Sequence, residues 1–524
     1  MKNIVLNMEE KISRFFNEYG RFVLIASGIG FLTYFMMMSL NLVNDLDGIW
    51  HLSNFIAGDW EISLGRGLQR YADRARFGIV SDSFNSMLTI IVIAITNTII
   101  VKKYEFDGIF YKLLFITILM ANPIVCNSLS YSYMSVNFGL AYFFSVMAFV
   151  CVKTGNENRR KKIFGTFSGA VFLGISMAFY QAYICVTCVL LLSYMIKLLI
   201  EEKKVKSVFY YACSSLGLIL VGGIFYLLIT KALLFRAGIQ MASYKGASNM
   251  SIGLMLRSLP ESIEQCYLQF INFVWGQKML ADLEFINIVL LGLGVVYIVA
   301  ICIRFFELLK SQVMSAVIFL VMLGLLPVAS CAVLLIAVGN TMSVLMSLGI
   351  VLGIVILGIV VPREGKTGFC LKRIYLFALV ALAWFQLSAV ENDQLALKEG
   401  KTATITLTEN IISEIYHQGY LEEQQYVAFV GRPGDNDRFA QSTAYRMANG
   451  YAKFGCWSTD ARNNRVSWNG IISNFIGTNL YLCDDAEYQR IIGLQQVADM
   501  PEYPMEGSIC IIDNIIVVKV TDVY

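Results

Sequence analysis

The chain has 524 residues, of which 57% are hydrophobic and only 15% are charged, and its mean hydropathy is +0.63. This composition argues against an ordinary soluble enzyme, which would have to expose large apolar patches, and against disordered or collagen-like chains. The net charge of +3 is uneven, because residues 1–390 carry +11 and residues 391–524 carry −8. We therefore expect a mainly α fold, with a polytopic helical membrane domain over 1–390 and a small second domain over 391–524.

Eleven stretches are long and apolar enough to cross a bilayer, which takes about 20 residues per helix. They are roughly 22–43, 83–101, 109–127, 131–152, 163–179, 181–200, 207–230, 285–303, 312–336, 343–361 and 374–389. The stretch 163–200 is too long for one span, and the Tyr180–Gln181 dipeptide at its middle predicts a hairpin. Basic residues before the first span place the N-terminus inside, and eleven spans then place the acidic C-terminal domain outside.

Two connections on the predicted outer side are long, at about 44–82 and about 231–284. Long loops in compact proteins usually carry function. The first mixes aromatic with charged residues, and the second contains a predicted surface helix over Ser251–Cys266. Both patterns are typical of segments that lie along the membrane surface.

The sequence pattern of the C-terminal region predicts a small mixed α/β domain. Its expected elements, in chain order, are a helix at Thr406–His417, a strand at Tyr426–Val430, a turn at Arg432–Asp435, a helix at Asp485–Val497 and a hairpin of Ile509–Ile512 with Ile515–Val520. Cys456, Cys483 and Cys510 fall in this region, where one disulfide can form. The other cysteines lie mostly in spans and indicate no zinc site.

Asp45 and Asp47 are two carboxylates that directly follow the first span. Partial burial and mutual repulsion would raise one pKa enough for a general base. The same oxygens also suit a divalent cation, Mg²⁺ or Mn²⁺. The alternative interpretation is an interfacial turn and helix cap.

Four arginines lie within eleven residues of the same outer loop, against the usual bias of basic residues toward the inside. They are Arg66, Arg70, Arg74 and Arg76. Guanidinium groups suit phosphate, and a phosphate attached to a lipid would lie at this depth. The alternative is that these side chains contact ordinary lipid head groups.

Aromatic and polar side chains near these charges are candidates for substrate binding. Trp60 and Glu61 precede Arg66, and Tyr180–Gln181 places a phenol and an amide at a predicted outer turn, where they can bind sugar hydroxyl groups. A polar contact between helices or an interfacial aromatic explains the dipeptide equally well.

The order of these motifs resembles the bacterial Gtr-type glucosyltransferases of O-antigen conversion, the type-two Gtr family of the polytopic GT-C glycosyltransferases. The resemblance rests on the acidic motif after span one, Trp60 followed by Gly65–Arg66, the Asn122–Pro123 turn and Tyr180–Gln181. It covers about the first 200 residues. Where the family typically has adjacent acidic residues, this chain separates Asp45 from Asp47 by Leu46, and we favour Asp47 as the base.

The resemblance implies transfer of a sugar, usually glucose, from undecaprenyl phosphate to a glycan acceptor on the outer face of the bacterial cytoplasmic membrane. It also implies a cytoplasmic synthase that charges the lipid and a flippase that moves it, with membrane lipid as the environment and no nucleic acid as a partner. Three alternatives remain from the residues: a flippase or other transporter of lipid-linked oligosaccharide, a surface-glycan polymerase, and a non-catalytic scaffold.

Overall fold

The computed structural model is helical over most of the chain and has one four-stranded sheet near the C-terminus. It describes all residues except 1, 45, 155–157, 203–204, 245–251, 277–283, 421–425, 440–441, 458–459, 479 and 523–524. The predicted class, a helical membrane bundle followed by a small α/β unit, is confirmed.

In the part of residues 1–237 that the structure describes there are twelve α-helices. They are α1 (Lys2–Thr33), α2 (Phe35–Ser39), α3 (Asp47–Trp50), α4 (Asp59–Ser63), α5 (Gln69–Ala75), α6 (Asp82–Tyr104), α7 (Ile109–Met120), α8 (Pro123–Ser130), α9 (Ser132–Cys151), α10 (Arg159–Phe179), α11 (Ile184–Glu202) and α12 (Val205–Ala237). A 3-10 turn, Gln181–Tyr183, joins α10 to α11, which confirms the predicted hairpin. The Asn122 side chain caps α8 by accepting the N–H groups of Ile124 and Val125.

The described residues after 237 form eleven further α-helices. They are α13 (Ile252–Arg257), α14 (Leu259–Ile271), α15 (Glu284–Ser311), α16 (Val313–Gly324), α17 (Leu326–Ser330), α18 (Leu348–Ile356), α19 (Gly365–His417), α20 (Thr443–Met447), α21 (Ala461–Ile471), α22 (Asp485–Ile492) and α23 (Gln495–Ala498). Short 3-10 segments lie at Ala332–Leu335, Val344–Met346, Leu357–Val360, Pro433–Asp435 and Gly450–Ala452, and π-helical turns lie at Asn272–Gly276 and Ile472–Ile476.

The number of spans is smaller than predicted. Among the described residues, eight helices are long and apolar enough to cross a membrane, or nine if α7 and α8, bent by 42°, form one broken span. The predicted span 22–43 is interrupted at Tyr34, and 343–361 contains only the shorter apolar segment Leu348–Val360. The prediction of eleven was wrong because hydropathy reports apolar content and not the continuity of a helix.

Helix α19 connects the membrane bundle to the C-terminal region without a break. Its 53 residues include both the predicted span 374–389 and the predicted helix Thr406–His417, and at 1.5 Å per residue it is about 80 Å long. Within α19, Gln394 Nε2 donates to Thr33 O at 2.8 Å, and Gln394 Oε1 accepts the Met37 N–H at 3.1 Å. The Gln394 amide thus supplies hydrogen-bond partners to backbone groups at the break between α1 and α2.

The C-terminal sheet has the strand order β2-β1-β4-β3. The strands are β1 (Tyr426–Val430), β2 (Tyr481–Leu482), β3 (Ile509–Ile512) and β4 (Ile515–Lys519). β1 is parallel to β2 and β4, whereas β3 and β4 form the predicted antiparallel hairpin, whose two turn residues, Asp513 and Asn514, have positive φ. The predicted helix Asp485–Val497 is divided into α22 and α23. Among the residues that the structure describes, Cys456, Cys483 and Cys510 form no disulfide with one another, although the sequence allowed one.

Asp393 on α19 holds the C-terminal domain against the bundle. Its buried carboxylate accepts the Asn449 N–H at 2.9 Å, the Asn449 side-chain amide at 2.7 Å and the Tyr451 hydroxyl at 2.6 Å. Gly400, further along the same helix, permits close approach, because a Cβ there would lie 2.7 Å from the Phe454 carbonyl oxygen. The domain is therefore fixed to α19 by specific contacts.

We expect Asp393→Ala to lower the free energy of unfolding of the full chain by about 3 kcal/mol, because three donors to a buried charge lose their acceptor. Thermal unfolding in detergent, together with the rate of proteolysis of the C-terminal domain, measures this effect. The control is Glu391→Gln, an exposed carboxylate two residues earlier on the same helix. Equal stability of the two variants would contradict the assigned role of Asp393.

Candidate functional site

The loop between α2 and α6 carries the predicted acidic motif. Asp47 is the first residue of α3 and is half-buried. The preceding turn is fixed by buried Asn44, whose N–H donates to Ser130 O at 2.9 Å and whose side chain accepts the Gly48 N–H. Asp45 lies outside the described residues.

Tyr133, at the start of α9, is the point on which several predicted residues converge. Asp47, Glu61 and Arg66 each lie near enough to act electrostatically on its phenol group. The His51 ring packs against the Tyr133 ring with 4.7 Å between centroids. A carboxylate and a guanidinium group thus lie within electrostatic range of a phenol that is up to 86 positions away in the sequence.

Arg66 is held by the turn between α10 and α11. Its guanidinium carbon lies 4.7 Å from the centre of the Tyr180 ring, and its Nε donates to Gln181 Oε1 at 3.4 Å. Among the residues that the structure describes, no carboxylate forms an ion pair with Arg66. Arg66 is therefore oriented by an aromatic face and an amide.

Gln181 fixes Arg66 through a set of protein hydrogen bonds. Its Nε2 donates to Leu64 O at 2.6 Å and to the Tyr226 hydroxyl oxygen at 2.9 Å, while its Oε1 faces Arg66. Both amide protons are thus directed to protein acceptors. Tyr226, on α12, was missed by sequence reasoning because nothing local marks a tyrosine inside an apolar span as a partner of a distant loop.

Gly65 provides the close approach on which this arrangement depends. Its φ is +75°, and a Cβ there would collide with the Tyr226 hydroxyl group and lie 3.1 Å from Gln181 Nε2. We expect Gly65→Ala to lower the free energy of unfolding by about 1–2 kcal/mol through backbone strain alone, and to lower activity by displacing Arg66. Thermal unfolding and activity assays test both effects.

The matched control for Gly65→Ala is Gly58→Ala in the same loop. Gly58 has a φ of −98°, and a Cβ there meets nothing nearer than 3.7 Å. The control should keep wild-type stability and activity. If both alanine variants behaved alike, Gly65 would have no special role.

The other arginines of the predicted cluster have separate partners. Arg70 donates to Ala57 O at 2.8 Å and to Asp59 at 2.9 Å, whereas Arg74 is exposed. Arg76 donates to Asp73 at 2.7 Å, and its Nε and Nη1 are buried without an acceptor among the described residues. The four guanidinium groups therefore do not form one cluster.

Asp73 organises the loop between α2 and α6 and was not predicted. It is fully buried and accepts hydrogen bonds from the Ala57 N–H and from Asn137 Nδ2, both at 2.9 Å, in addition to Arg76. Burial raises the pKa of Asp73, although the hydrogen bonds from these donors act to lower it. The Asp73 side chain thereby ties α5 to α9.

Trp60 and Glu61 occupy the edge of the site. Glu61 accepts the Gly58 N–H at 2.6 Å and so caps α4. Trp60 is exposed and packs edge-on against Tyr244 of the second long loop, with 5.6 Å between ring centroids. The Ala242 N–H also donates to Ser63 O at 3.0 Å. The two long loops thus meet on one face of the protein.

The C-terminal domain packs directly on the acidic-motif helix. Trp50 Nε1 donates to Ser467 Oγ at 3.3 Å, and Asn474 Nδ2 donates to Ile49 O at 3.3 Å. A Cβ on Gly470 of α21 would lie 2.5 Å from an Ile49 methyl group. α3 therefore lies between the bundle and the C-terminal domain.

His51 is expected to make stability depend on pH. Burial lowers the pKa of His51 below its usual 6.5, so the unfolded chain binds a proton at this position before the folded chain does. The free energy of unfolding should therefore fall as the pH falls below about 6.5. Thermal unfolding of the full chain at pH 7.5 and pH 5.5 measures this.

The variant His51→Asn should show a smaller loss of stability on acidification than the wild type. His417→Asn, at the exposed end of α19, is the matched control and should keep the wild-type pH dependence. An unchanged pH dependence in His51→Asn would contradict the prediction.

The sequence offers Asp45 and Asp47 as ligands of a divalent cation. Among the described residues, no group of three or more His, Cys, Asp or Glu side chains is placed to hold a metal ion. Asp47 is the one member of the predicted acidic pair for which the structure gives a position.

A family model described as "Glucosyl transferase GtrII" matches residues 52–357, which is more than half of the chain. The match includes Arg66, Tyr180 and Gln181 and begins just after the acidic motif. No curated protein and no solved structure matches the chain.

Proposed function

Because the chain belongs to the glucosyl transferase GtrII family, and is thus a membrane glucosyltransferase as the motifs indicated, we propose that it transfers glucose from undecaprenyl phosphate to a cell-surface glycan. The reaction would take place on the outer face of the bacterial cytoplasmic membrane. The observation that supports this most is the placement of Arg66 by Tyr180 and Gln181, with Asp47 and Arg66 both in electrostatic range of the Tyr133 phenol.

The proposed chemistry is a single displacement. Asp47 accepts the proton of the acceptor hydroxyl group, the hydroxyl oxygen attacks the anomeric carbon, and the bond from that carbon to the phosphate oxygen breaks. Arg66 stabilises the negative charge on the departing lipid phosphate. The anomeric configuration would be inverted. Asp45, the neighbouring acid, is the alternative base.

The surrounding residues position these groups. Gln181 and Tyr180 orient the Arg66 guanidinium, and Tyr180 is itself buried beneath it. Exposed Trp60 is suited to stacking on a sugar ring, and Glu61 supports the loop that carries it. Arg70 stabilises the same loop and adds positive charge near the phosphate.

Contacts at the two ends of α19 support action on the outer face. At its beginning, Arg363 forms an ion pair of 2.6 Å with Asp107, in a region rich in Lys and Arg such as Lys102 and Lys366. At its far end lie the C-terminal domain and, packed on it, α3. The positive-inside rule assigns the basic end to the cytoplasm and therefore the site to the outside.

A donor on the outer face requires partners. A cytoplasmic synthase would charge the lipid with sugar, and a flippase would bring the lipid-linked sugar across the membrane. The acceptor is a glycan of the cell envelope, which the C-terminal domain beside α3 is placed to orient.

The donor can be tested with the purified full chain in lipid nanodiscs. Radiolabelled undecaprenyl phosphate glucose and radiolabelled UDP-glucose are supplied separately with a cell-envelope glycan, and label in the glycan is counted. We expect transfer from the lipid donor alone. Transfer from UDP-glucose without added lipid phosphate would overturn the proposed donor, and lipid translocation without transfer in sealed vesicles would favour the flippase.

A further inference from the structure

A cavity lies at the opposite end of α10 from Arg66. It has a volume of about 1320 Å³ and is lined by the N-terminal halves of α10 and α12. The 21 residues of α10 separate the two regions by about 30 Å. The cavity is therefore distinct from the proposed catalytic site.

The packing of α10 on α12 explains why the cavity opens at this end. Cβ atoms at Gly169 and Gly174 would lie 2.5 Å from Leu218 and 2.7 Å from Phe225, so the helices touch closely there. This register shows that α10 and α12 run parallel and begin on the same face. Toward those N-termini the residues are larger, and the helices are separated by the cavity.

The cavity is strongly basic. Among the described residues of its lining, four side chains are positive, those of Lys153, Arg159, Lys162 and Lys206, and one, that of Glu202, is acidic. The N-termini of two long parallel helices add their positive dipole ends. An anion is the ligand that this electrostatic environment favours.

An independent observation comes from Tyr211 in the wall of the cavity. Its side chain is only 2% exposed, and its hydroxyl group has no hydrogen-bond partner among the residues that the structure describes. The ring is fixed against Tyr194, with 5.4 Å between centroids. A buried hydroxyl group without a partner is costly, and a ligand oxygen in the cavity would satisfy it.

The apolar lining indicates a lipid instead of a soluble anion. Ile163, Phe167 and Val221 continue the wall beyond the charges, and the outward-facing Phe164 and Phe209 are 72% and 64% exposed. Such surfaces on membrane helices contact acyl chains. A phosphate among the basic residues would therefore belong to a molecule whose chains extend along α10 and α12.

We propose that this cavity binds the phosphate head group of an anionic membrane lipid, with the basic side chains and Tyr211 as ligands of the phosphate. The site lies on the face that carries the basic loops. It is independent of the proposed glucosyl transfer.

Native mass spectrometry of the full chain in detergent tests the proposal. Phosphatidylglycerol and phosphatidylcholine of the same acyl chains are titrated separately. The site variant combines Arg159→Gln, Lys162→Gln and Lys206→Gln, and the control variant combines Lys366→Gln, Lys372→Gln and Arg373→Gln, which removes the same charge from the basic end of α19. Tyr211→Phe removes only the hydroxyl group.

We expect the wild type and the control variant to bind phosphatidylglycerol at least tenfold more tightly than phosphatidylcholine, and the site variant to lose this preference. Tyr211→Phe should weaken phosphatidylglycerol binding about threefold or more. Equal losses in the site and control variants, or no preference in the wild type, would overturn the proposal. If the triple variant does not fold, Lys206→Gln and Tyr211→Phe provide the same comparison.

Competition separates the sources of the phosphate. Undecaprenyl phosphate should displace phosphatidylglycerol, because it presents the same phosphate chemistry on an apolar chain. Inorganic phosphate at millimolar concentration should not. Displacement by inorganic phosphate alone would show that the cavity binds a soluble anion and would contradict the lipid assignment.

Discussion

Replacement of Asp47 by Asn is expected to lower the rate of glucosyl transfer on the order of 10³-fold, the usual range for loss of a general base. The amide keeps the shape of the carboxylate but cannot accept the proton of the acceptor hydroxyl group. Because Asp47 begins α3, and α3 is held between Ser130 and the C-terminal domain, the variant should fold normally. Transfer from undecaprenyl phosphate glucose, measured in nanodiscs under single-turnover conditions, gives the effect.

The matched control is Asp59→Asn, a carboxylate of the same loop that is largely exposed and pairs with Arg70 at the surface. A surface pair of this kind contributes little, so transfer should stay within about twofold of the wild type. Near wild-type transfer by Asp47→Asn would assign the base to another residue. Asp45→Asn, made in parallel, identifies whether the neighbouring acid has that role.

Arg66→Ala should have the second largest effect, a loss of about 10²–10³-fold in transfer, as expected for removal of a group that stabilises developing charge. Arg66→Lys should recover little of this loss. A lysine cannot both lie flat on the Tyr180 ring and donate sideways to Gln181 as the guanidinium group does.

Arg74→Gln is the charge-matched control for Arg66, because Arg74 belongs to the same loop but is exposed. It should alter transfer only slightly and mainly at low salt. The loss in Arg66→Ala should appear in kcat as well as in kcat/KM, since the leaving-group charge develops in the transition state. A change confined to KM would show that Arg66 only binds the donor.

Some features of the fold were predictable because they depend on local sequence. The hairpin at Tyr180–Gln181, the strand Tyr426–Val430 and the closing hairpin follow from apolar runs and turn residues that lie next to one another. The breaks in the first apolar stretch and the continuity of α19 were not predictable, because tertiary contacts such as those of Gln394 and Asp393 determine them.

In the candidate site, too, the residue types could be predicted from local sequence, whereas their partners could not. The residue types were recognisable, and the structure brings Asp47, Arg66 and the Tyr180–Gln181 turn together. Sequence proximity alone suggested that four arginines act as one cluster, whereas folding gives Arg70 and Arg76 their own acidic partners. These two ion pairs could not be predicted, because the sequence does not show which carboxylate folding buries or places next to each arginine.

The central claim is that a lipid phosphate donates the sugar on the face of the membrane that carries the C-terminal domain. It is tested most directly with sealed proteoliposomes that contain undecaprenyl phosphate glucose, sorted through a C-terminal tag into populations with this domain outward or inward. A soluble glycan acceptor is added outside only. We predict transfer with the domain outward, and transfer with the domain inward only after detergent opens the vesicles. Transfer in sealed vesicles with the domain inward, or in neither population, would contradict the account.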